Sequence, residues 1–499
     1  MATSIQRQSI LSTLVIYIGF AFGAVNLWLL QKLIGADYYG LTKVVNDFSF
    51  IAAYFATLGS QALVAKFFPF YKYYLPKEKN DLSFIAIILA VTGTVITVTA
   101  LLLLKAQIIV VFGRENPLFI NYYWTIIPFT ILLMAFLFFE PFAWHAGKTV
   151  YSNLLKETFI RVLTTVMVCL LLFKLIDPDW FVKLYAFIYL IPVVAGYVLL
   201  IKWKAIPVYP KLTKVTFRLK KRLIGFSSFL FLTTIFNIGS QVCDTLFLGS
   251  MKGFDNATQF AIAQYFGSVL EVPNRAIMGS SIPVLAEFWR TKDLAGIQRI
   301  YKKSAMNLMI AGIFFGGLII INLPNAIDFL FDPSYMIIII PAVIIIFSKI
   351  IDLSTGLNAQ VILTSNLWKF DFYSTLIYSL VAIPLNFFLI RTWGIYGAAV
   401  ANVMANLIKN GIRWWYLYHK FRLQPFTFKN LELLLASATL ITAIWFLPFV
   451  KNVFIDTPVR TIVFLVGFAV LILSRNYSAE VNSLWVKYKD LAVQKLRVR

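Results

Sequence analysis

About fourteen stretches of roughly 20 mostly apolar residues follow one another along this chain of 499 residues. Each is long enough to cross a hydrocarbon layer of about 30 Å as a helix. Composition points the same way: 60% of the residues are apolar, 13% are charged, and the mean hydropathy is +0.80. Soluble domains carry about 25% charged residues. The expected fold class is an all-α polytopic membrane protein with about 14 transmembrane helices.

The apolar runs divide the chain. An N-terminal set of six occupies 1–203, from a first span at Thr13 to Gln31 and a second at Val44 to Ala65. A basic connector covers 204–222, and a second set of six follows over 223–418. Two additional helices fall within 431–474, and 475–499 is a basic tail. The first run lacks a small-residue cleavage site and is followed at once by another span, so it is expected to be a helix of the protein rather than a signal peptide.

Lys and Arg number 45 against 22 Asp and Glu, a net charge of +23. With the N-terminus inside, 33 of the 45 fall on the cytoplasmic side and ten on the other, while Arg275 and Lys349 lie within spans. Short cytoplasmic loops accumulate Lys and Arg, so both termini are expected in the cytoplasm and no nucleic-acid partner is needed to explain the charge. The connector WKAIPVYPKLTKVTFRLKKR, Trp203 to Arg222, is expected at the surface beside anionic membrane lipids. Cys169 and Cys243 both sit in apolar stretches and are expected as small buried side chains. The two histidines, His145 and His419, are far apart in sequence and suggest no metal site.

Polar residues inside spans carry the functional signal, because burying them in lipid is costly. The seventh span holds Asn237, Gln241 and Asp244, and the eighth holds Gln264, Ser268, Glu271 and Arg275. Lys349, Asp352, Gly356 and Gln360 lie in the tenth, and Asn402, Asn406 and Asn410 in the twelfth. Spacings of three and four put each set on one helix face. Two readings fit: the faces line a water-accessible cavity that takes substrate, or they hydrogen-bond helix to helix. The substrate-binding candidates are Gln241, Asp244, Gln264, Glu271, Arg275, Lys349, Asp352, Gln360, Asn402 and Asn406. Arg and Lys suit phosphate oxygens, and Glu271 or Asp352 would neutralise them or carry a coupling ion. Glu140 and Arg161 are a candidate pair between the fourth and fifth spans. Pro273, Pro283, Pro341 and Pro384 predict bent or interrupted helices.

Four segments carry a resemblance to a known family. They are LIGADYYG at Leu33 to Gly40, QVCDTLFLG at Gln241 to Gly249, NATQFAIAQYFGSVLEVPNRAIMGSSIPVLAEF at Asn256 to Phe288, and GIYGAAVANVMAN at Gly394 to Asn406. Together with the span pattern, the chain resembles the polysaccharide transporter branch of the multidrug/oligosaccharidyl-lipid/polysaccharide exporter superfamily. The resemblance implies two facing six-helix lobes plus two C-terminal helices. It also implies a flippase, not an enzyme, that moves a lipid-linked oligosaccharide across the cytoplasmic membrane by alternating access. The substrate would be a polyprenyl-pyrophosphate-linked glycan, with a glycan polymerase or ligase acting downstream. No cofactor is implied beyond H⁺ or Na⁺ coupling.

A peptidoglycan-precursor lipid flippase and a multidrug/cation antiporter are the alternatives. Cavity cations would favour the first, although no Arg or Lys occurs between Thr13 and Leu30. Twelve helices would favour the second. A membrane glycosyltransferase would be expected to carry a large extracytoplasmic loop, and the outside loops here are short. Polar stripes in four spans exceed what simple anchoring needs.

Overall fold

The computed structural model describes residues 2–206, 209–367, 369–447, 452–475 and 477–478, with side chains from residue 18 onward except at 77, 276, 279, 280 and 283. The regular elements among them are helices. α1 (Ala2–Ala56), α2 (Ser60–Tyr74), α3 (Leu82–Leu103) and α4 (Lys105–Gly113) come first. α5 (Leu118–Tyr122) precedes α6 (Ile126–His145), and α7 (Thr149–Asn153) runs through a π-helical segment, Leu154–Phe159, into α8 (Ile160–Leu172). Next are α9 (Pro178–Tyr185), α10 (Leu190–Lys202), α11 (Lys214–Met251) and α12 (Phe254–Ser268). α13 (Glu271–Arg290), α14 (Leu294–Leu330), α15 (Ile339–Ser354) and α16 (Asn358–Thr364) follow. α17 (Lys369–Phe421), α18 (Phe428–Trp445) and α19 (Val453–Arg475) complete the order.

Among the described residues, ten helical stretches are long and apolar enough to cross a membrane. α1 and α17 would each extend about 80 Å if straight, more than twice the hydrocarbon thickness. Each contains one glycine with non-helical backbone: Gly35 at φ 76°, ψ 170° and Gly394 at φ 55°, ψ −129°. Positive φ of this kind strains any residue with a Cβ. At Gly394 the chain doubles back. A Cβ on Gly397 would lie 2.0 Å from the carbonyl oxygen of Leu389, although residues eight apart in a continuous helix are separated by about 12 Å.

Several spans expected as single helices are interrupted instead, two of them at places that bear on the site. The run 155–173 begins in the π-helical segment. The run 257–286 is divided between α12 and α13. Pro273 is the third residue of α13, where a backbone N–H would have no acceptor within the helix. Proline is therefore tolerated there, and the break falls just ahead of it.

Packing groups the chain into two compact units, 1–262 with 375–401, and 263–374 with 402–499. In the first unit α6 packs against α1, α2 and α10. Its Phe129, Leu133, Phe136, Leu137, Phe139 and Phe142 are each at most 1% exposed. Asp81, fully buried, accepts hydrogen bonds from the Thr213 amide at 2.7 Å, the Thr213 hydroxyl at 3.0 Å and the Thr216 hydroxyl at 2.7 Å. Those bonds tie the start of α11, which lies in the middle of the basic connector, to the turn before α3.

In the second unit α14 packs against α13, α15, α18 and α19. Gly312 and Gly316 bring α14 close to α15: a Cβ at either would lie 2.9 Å from Leu353 or Ile346. The small-residue spacing thus serves close helix contact. Arg460 on α19 is 1% exposed; it pairs with Asp456 at 2.6 Å and donates to the carbonyls of Ile444 at 2.7 Å and Leu447 at 2.8 Å. The C-terminal end of α18 is thereby capped by a cation, as the unsatisfied carbonyls there favour.

Large apolar side chains on the outer faces, among them Val91, Val95, Leu103, Val110, Ile201 and Val470, are well over half exposed, which suits contact with lipid tails. Cys243 is buried as expected, but Cys169 is exposed on α8. In a bilayer an apolar neighbourhood in sequence includes lipid-facing positions, so it does not imply burial in protein. The chain is an all-α, multi-pass membrane protein.

Candidate functional site

The second unit gathers most of the polar stripe residues. α13 opens with Glu271, which pairs with Lys349 of α15 and lies 3.5 Å from Arg275, one turn further along its own helix. The side chains of Glu271, Lys349 and Arg275 are 36%, 29% and 42% exposed, so the protein does not fully enclose the triad. One carboxylate serves two cations. That leaves the group net positive, with Arg275 the more open of the two.

One turn beyond Lys349, Asp352 accepts from the Asn410 amide nitrogen at 2.6 Å. The Asn410 carbonyl oxygen accepts from Asn358 of α16 at 2.8 Å and from Thr355 at 3.3 Å. Asn406, one turn before Asn410, donates to Ser348 at 3.1 Å. Asn406 and Asn410 thus connect the 402–421 part of α17 to α15, which matches the interhelical role open to asparagine. Asn402 continues their stripe and is half-buried, as is Gln264 on α12; Gln360 is buried on α16.

Three ionised residues extend the cluster beyond the sequence-derived set. Arg413 pairs with Asp371 at 2.6 Å and donates to Ser374 at 3.0 Å. Lys409 and Lys349 lie within electrostatic reach of Asp352. Four cations (Arg275, Lys349, Lys409 and Arg413) therefore share this unit with three carboxylates (Glu271, Asp352 and Asp371). Arg413 stands three residues after Asn410, so the helical spacing of the stripe already pointed to it. Its place near a span end had assigned it to the loop charges.

Gln241 and Asp244 belong to the first unit. Gln241 is exposed and donates to Asn237 at 3.4 Å, while Asp244 is 1% exposed and accepts from the Thr245 amide at 2.7 Å.

The first unit has an ion cluster of its own. Glu140, 2% exposed, accepts from Lys156 at 3.0 and 3.2 Å and from Gln61 at 3.3 Å. Arg161, expected to pair with Glu140, instead lies 3.5 Å from Glu157 and stacks over Phe20 at 4.5 Å. The reason is local. Lys156 lies inside the π-helical segment Leu154–Phe159, five residues before Arg161, and the wider turn there shifts which side chain faces α6. Among the described residues no three His, Cys, Asp or Glu side chains gather as a metal site.

No protein-family model and no curated protein sequence matches this chain. Solved structures do. A structure described as lipid II flippase MurJ in an inward closed conformation is similar over 94% of this chain and 100% of its own, with TM-score 0.67 and 16% identity. A MOP superfamily transporter from Pyrococcus furiosus is similar over 84% of this chain and 95% of its own, with TM-score 0.59 and 12% identity. The Vibrio cholerae MATE transporter VcmN is similar over 84% and 98%, with TM-score 0.55 and 14% identity. At these identities the likeness is one of fold: the chain has the fold of MOP-superfamily transporters.

Proposed function

We propose that this chain is an alternating-access transporter of the cytoplasmic membrane that flips an anionic, lipid-linked glycan, and that its substrate is of the peptidoglycan-precursor type. The observation that carries the substrate class is the fold match to a lipid II flippase over 94% of this chain, against 84% for the drug-transporter folds. The difference is about the length of α18 and α19 together. A polysaccharide unit on polyprenyl pyrophosphate, as the sequence motifs suggested, would present the same pyrophosphate. Broader structural agreement favours the precursor lipid.

The chemistry of the second unit supports an anionic headgroup. Arg275 offers a planar fork and Lys349 a compact ammonium, both suited to phosphate oxygens. Glu271 compensates one of the two positive charges before substrate arrives. Pyrophosphate would compete with Glu271 for them, and the released carboxylate would take H⁺ or Na⁺. Flipping then shifts the population between inward and outward states, with no substrate bond made or broken.

Topology follows from the same reading. The glycine-broken α1 and α17 each count as two crossings, and the interrupted segments 149–172 and 254–290 add two more to the other eight membrane-length stretches. Fourteen crossings would form two six-helix lobes and a C-terminal pair, with both termini cytoplasmic. A glycan polymerase or ligase would use the product.

The test is to deplete the protein and identify the lipid-linked species that accumulates. The expected result is an intact polyprenyl-pyrophosphate glycan held in the inner leaflet. A complete polysaccharide unit accumulating alone would shift the substrate to that class, and no accumulation of any lipid-linked glycan would overturn the proposal.

A further inference from the structure

A cavity of about 580 Å³ opens in the first unit, and its described lining is strongly one-signed. Lys72, Lys148 and Lys204 all line it, together with His145, Asn80 and Trp203, and no carboxylate lines it among the described residues. The three lysines come from separate places in the fold. Lys72 is in the last turn of α2, Lys148 immediately precedes α7, and Lys204 follows the end of α10. Their convergence is therefore a product of tertiary structure rather than of a basic run in the sequence.

The backbone is shaped to bring them there. Gly147, just before Lys148, has φ 70°, and Lys204 itself has φ 48°, a left-handed conformation that a residue with a side chain adopts at some cost. Lys148 lies 5.8 Å from the Trp203 ring and 6.0 Å from the Tyr151 ring, held by cation–π attraction while its charge stays at the cavity. The His145 Nε2–H donates to the carbonyl oxygens of Val64 and Ala65 at 3.1 and 3.2 Å, and the ring stacks on Phe68, which fixes the imidazole at the wall. Lys72 reaches it electrostatically.

We propose that this cavity is a binding site for a phosphate-bearing headgroup, supplied by an anionic phospholipid of the leaflet at that end of the unit. Three ammonium groups facing one space repel each other unless an anion sits among them. The volume falls within the range of small-molecule sites and is far larger than a bare ion needs. An indole at the rim suits the interfacial zone where headgroups lie. The lining loops follow the second, fourth and sixth expected spans, so all three emerge on the side to which the charge bias assigns the cytoplasm. Anionic lipid is concentrated in that leaflet. The site would make transport respond to membrane composition, and it does not depend on which glycan is carried.

The full-length protein is placed in nanodiscs of neutral phosphatidylcholine alone or with phosphatidylglycerol, and retained lipid is counted by native mass spectrometry after extraction. Wild type is expected to keep phosphatidylglycerol selectively. Lys148→Gln and Lys204→Gln should each lower retention about fivefold, near the effect of one basic charge at a membrane surface, and Lys148→Arg should restore it. Inorganic pyrophosphate, added to neutral nanodiscs, is the second arm. Lysine-dependent protection by pyrophosphate without lipid selectivity would support the phosphate site with a soluble source. Equal retention by wild type and both Gln variants, with no lysine-dependent protection by pyrophosphate and all of them equally stable in neutral lipid, would overturn the proposal.

Discussion

Lys349 reaches Glu271 from α15, and removing its ammonium leaves the carboxylate to Arg275 at 3.5 Å. Lys349→Ala and Arg275→Ala are each expected to slow lipid-linked glycan export at least tenfold, because a hydrogen bond to a charged group is worth about 1.5–3 kcal/mol. Membrane insertion should be unchanged. Export and membrane abundance measured together check this, and normal export by both variants would remove these residues from the site. The buried pair Asp456–Arg460 makes a contrasting case. Asp456→Ala strands a guanidinium that is 1% exposed, at a cost of about 3 kcal/mol, so thermal unfolding in detergent should shift down while glycan selectivity stays. At this scale the four-residue spacing of Asn402, Asn406 and Asn410 made their shared face legible. The partnership of Arg413 with Asp371 was not, since a cation near a span end looks the same in sequence whether it meets solvent or a carboxylate.

Helix breaks decide how the apolar runs become elements. Gly397 sits beside the reversal at Gly394, and its missing Cβ leaves room for the Leu389 carbonyl. Gly397→Ala forces that contact apart and is expected to cost about 1–3 kcal/mol, seen as reduced membrane abundance. Gly411 is the internal control. It lies on the same α17 with open space around it, so Gly411→Ala should be neutral or slightly stabilising. If both variants behave alike, close packing at the reversal is not what selects glycine there. The interruption between α12 and α13 was open in the sequence as a bend or a break near Pro273, because proline marks where a helix can begin without saying on which side the preceding one ends. Likewise, nothing in 154–159 announces π-helical spacing, which depends on how that segment packs against its neighbours.

At the scale of the whole molecule, apolar segment length and charge bias made the membrane class legible at once. Substrate was not, because precursor lipid and polysaccharide unit ask for the same cations. Orientation has a direct check. A single cysteine at Lys220, in a background with Cys169→Ser and Cys243→Ser, should be labelled only from the cytoplasm, and Cys169 needs replacing first because it is exposed. Labelling from outside would invert the assigned topology and move the lysine-lined cavity to the opposite leaflet.

Reconstituted translocation tests the central claim most directly. The purified protein is placed in liposomes with a labelled polyprenyl-pyrophosphate glycan, and leaflet accessibility of the glycan is followed with a membrane-impermeant enzyme. Wild type is predicted to move the glycan across faster than protein-free liposomes, with Arg275→Ala and Lys349→Ala each at least tenfold slower. A folded wild-type protein that leaves the glycan in its starting leaflet, at the rate of empty liposomes under both H⁺ and Na⁺ gradients, would contradict the account.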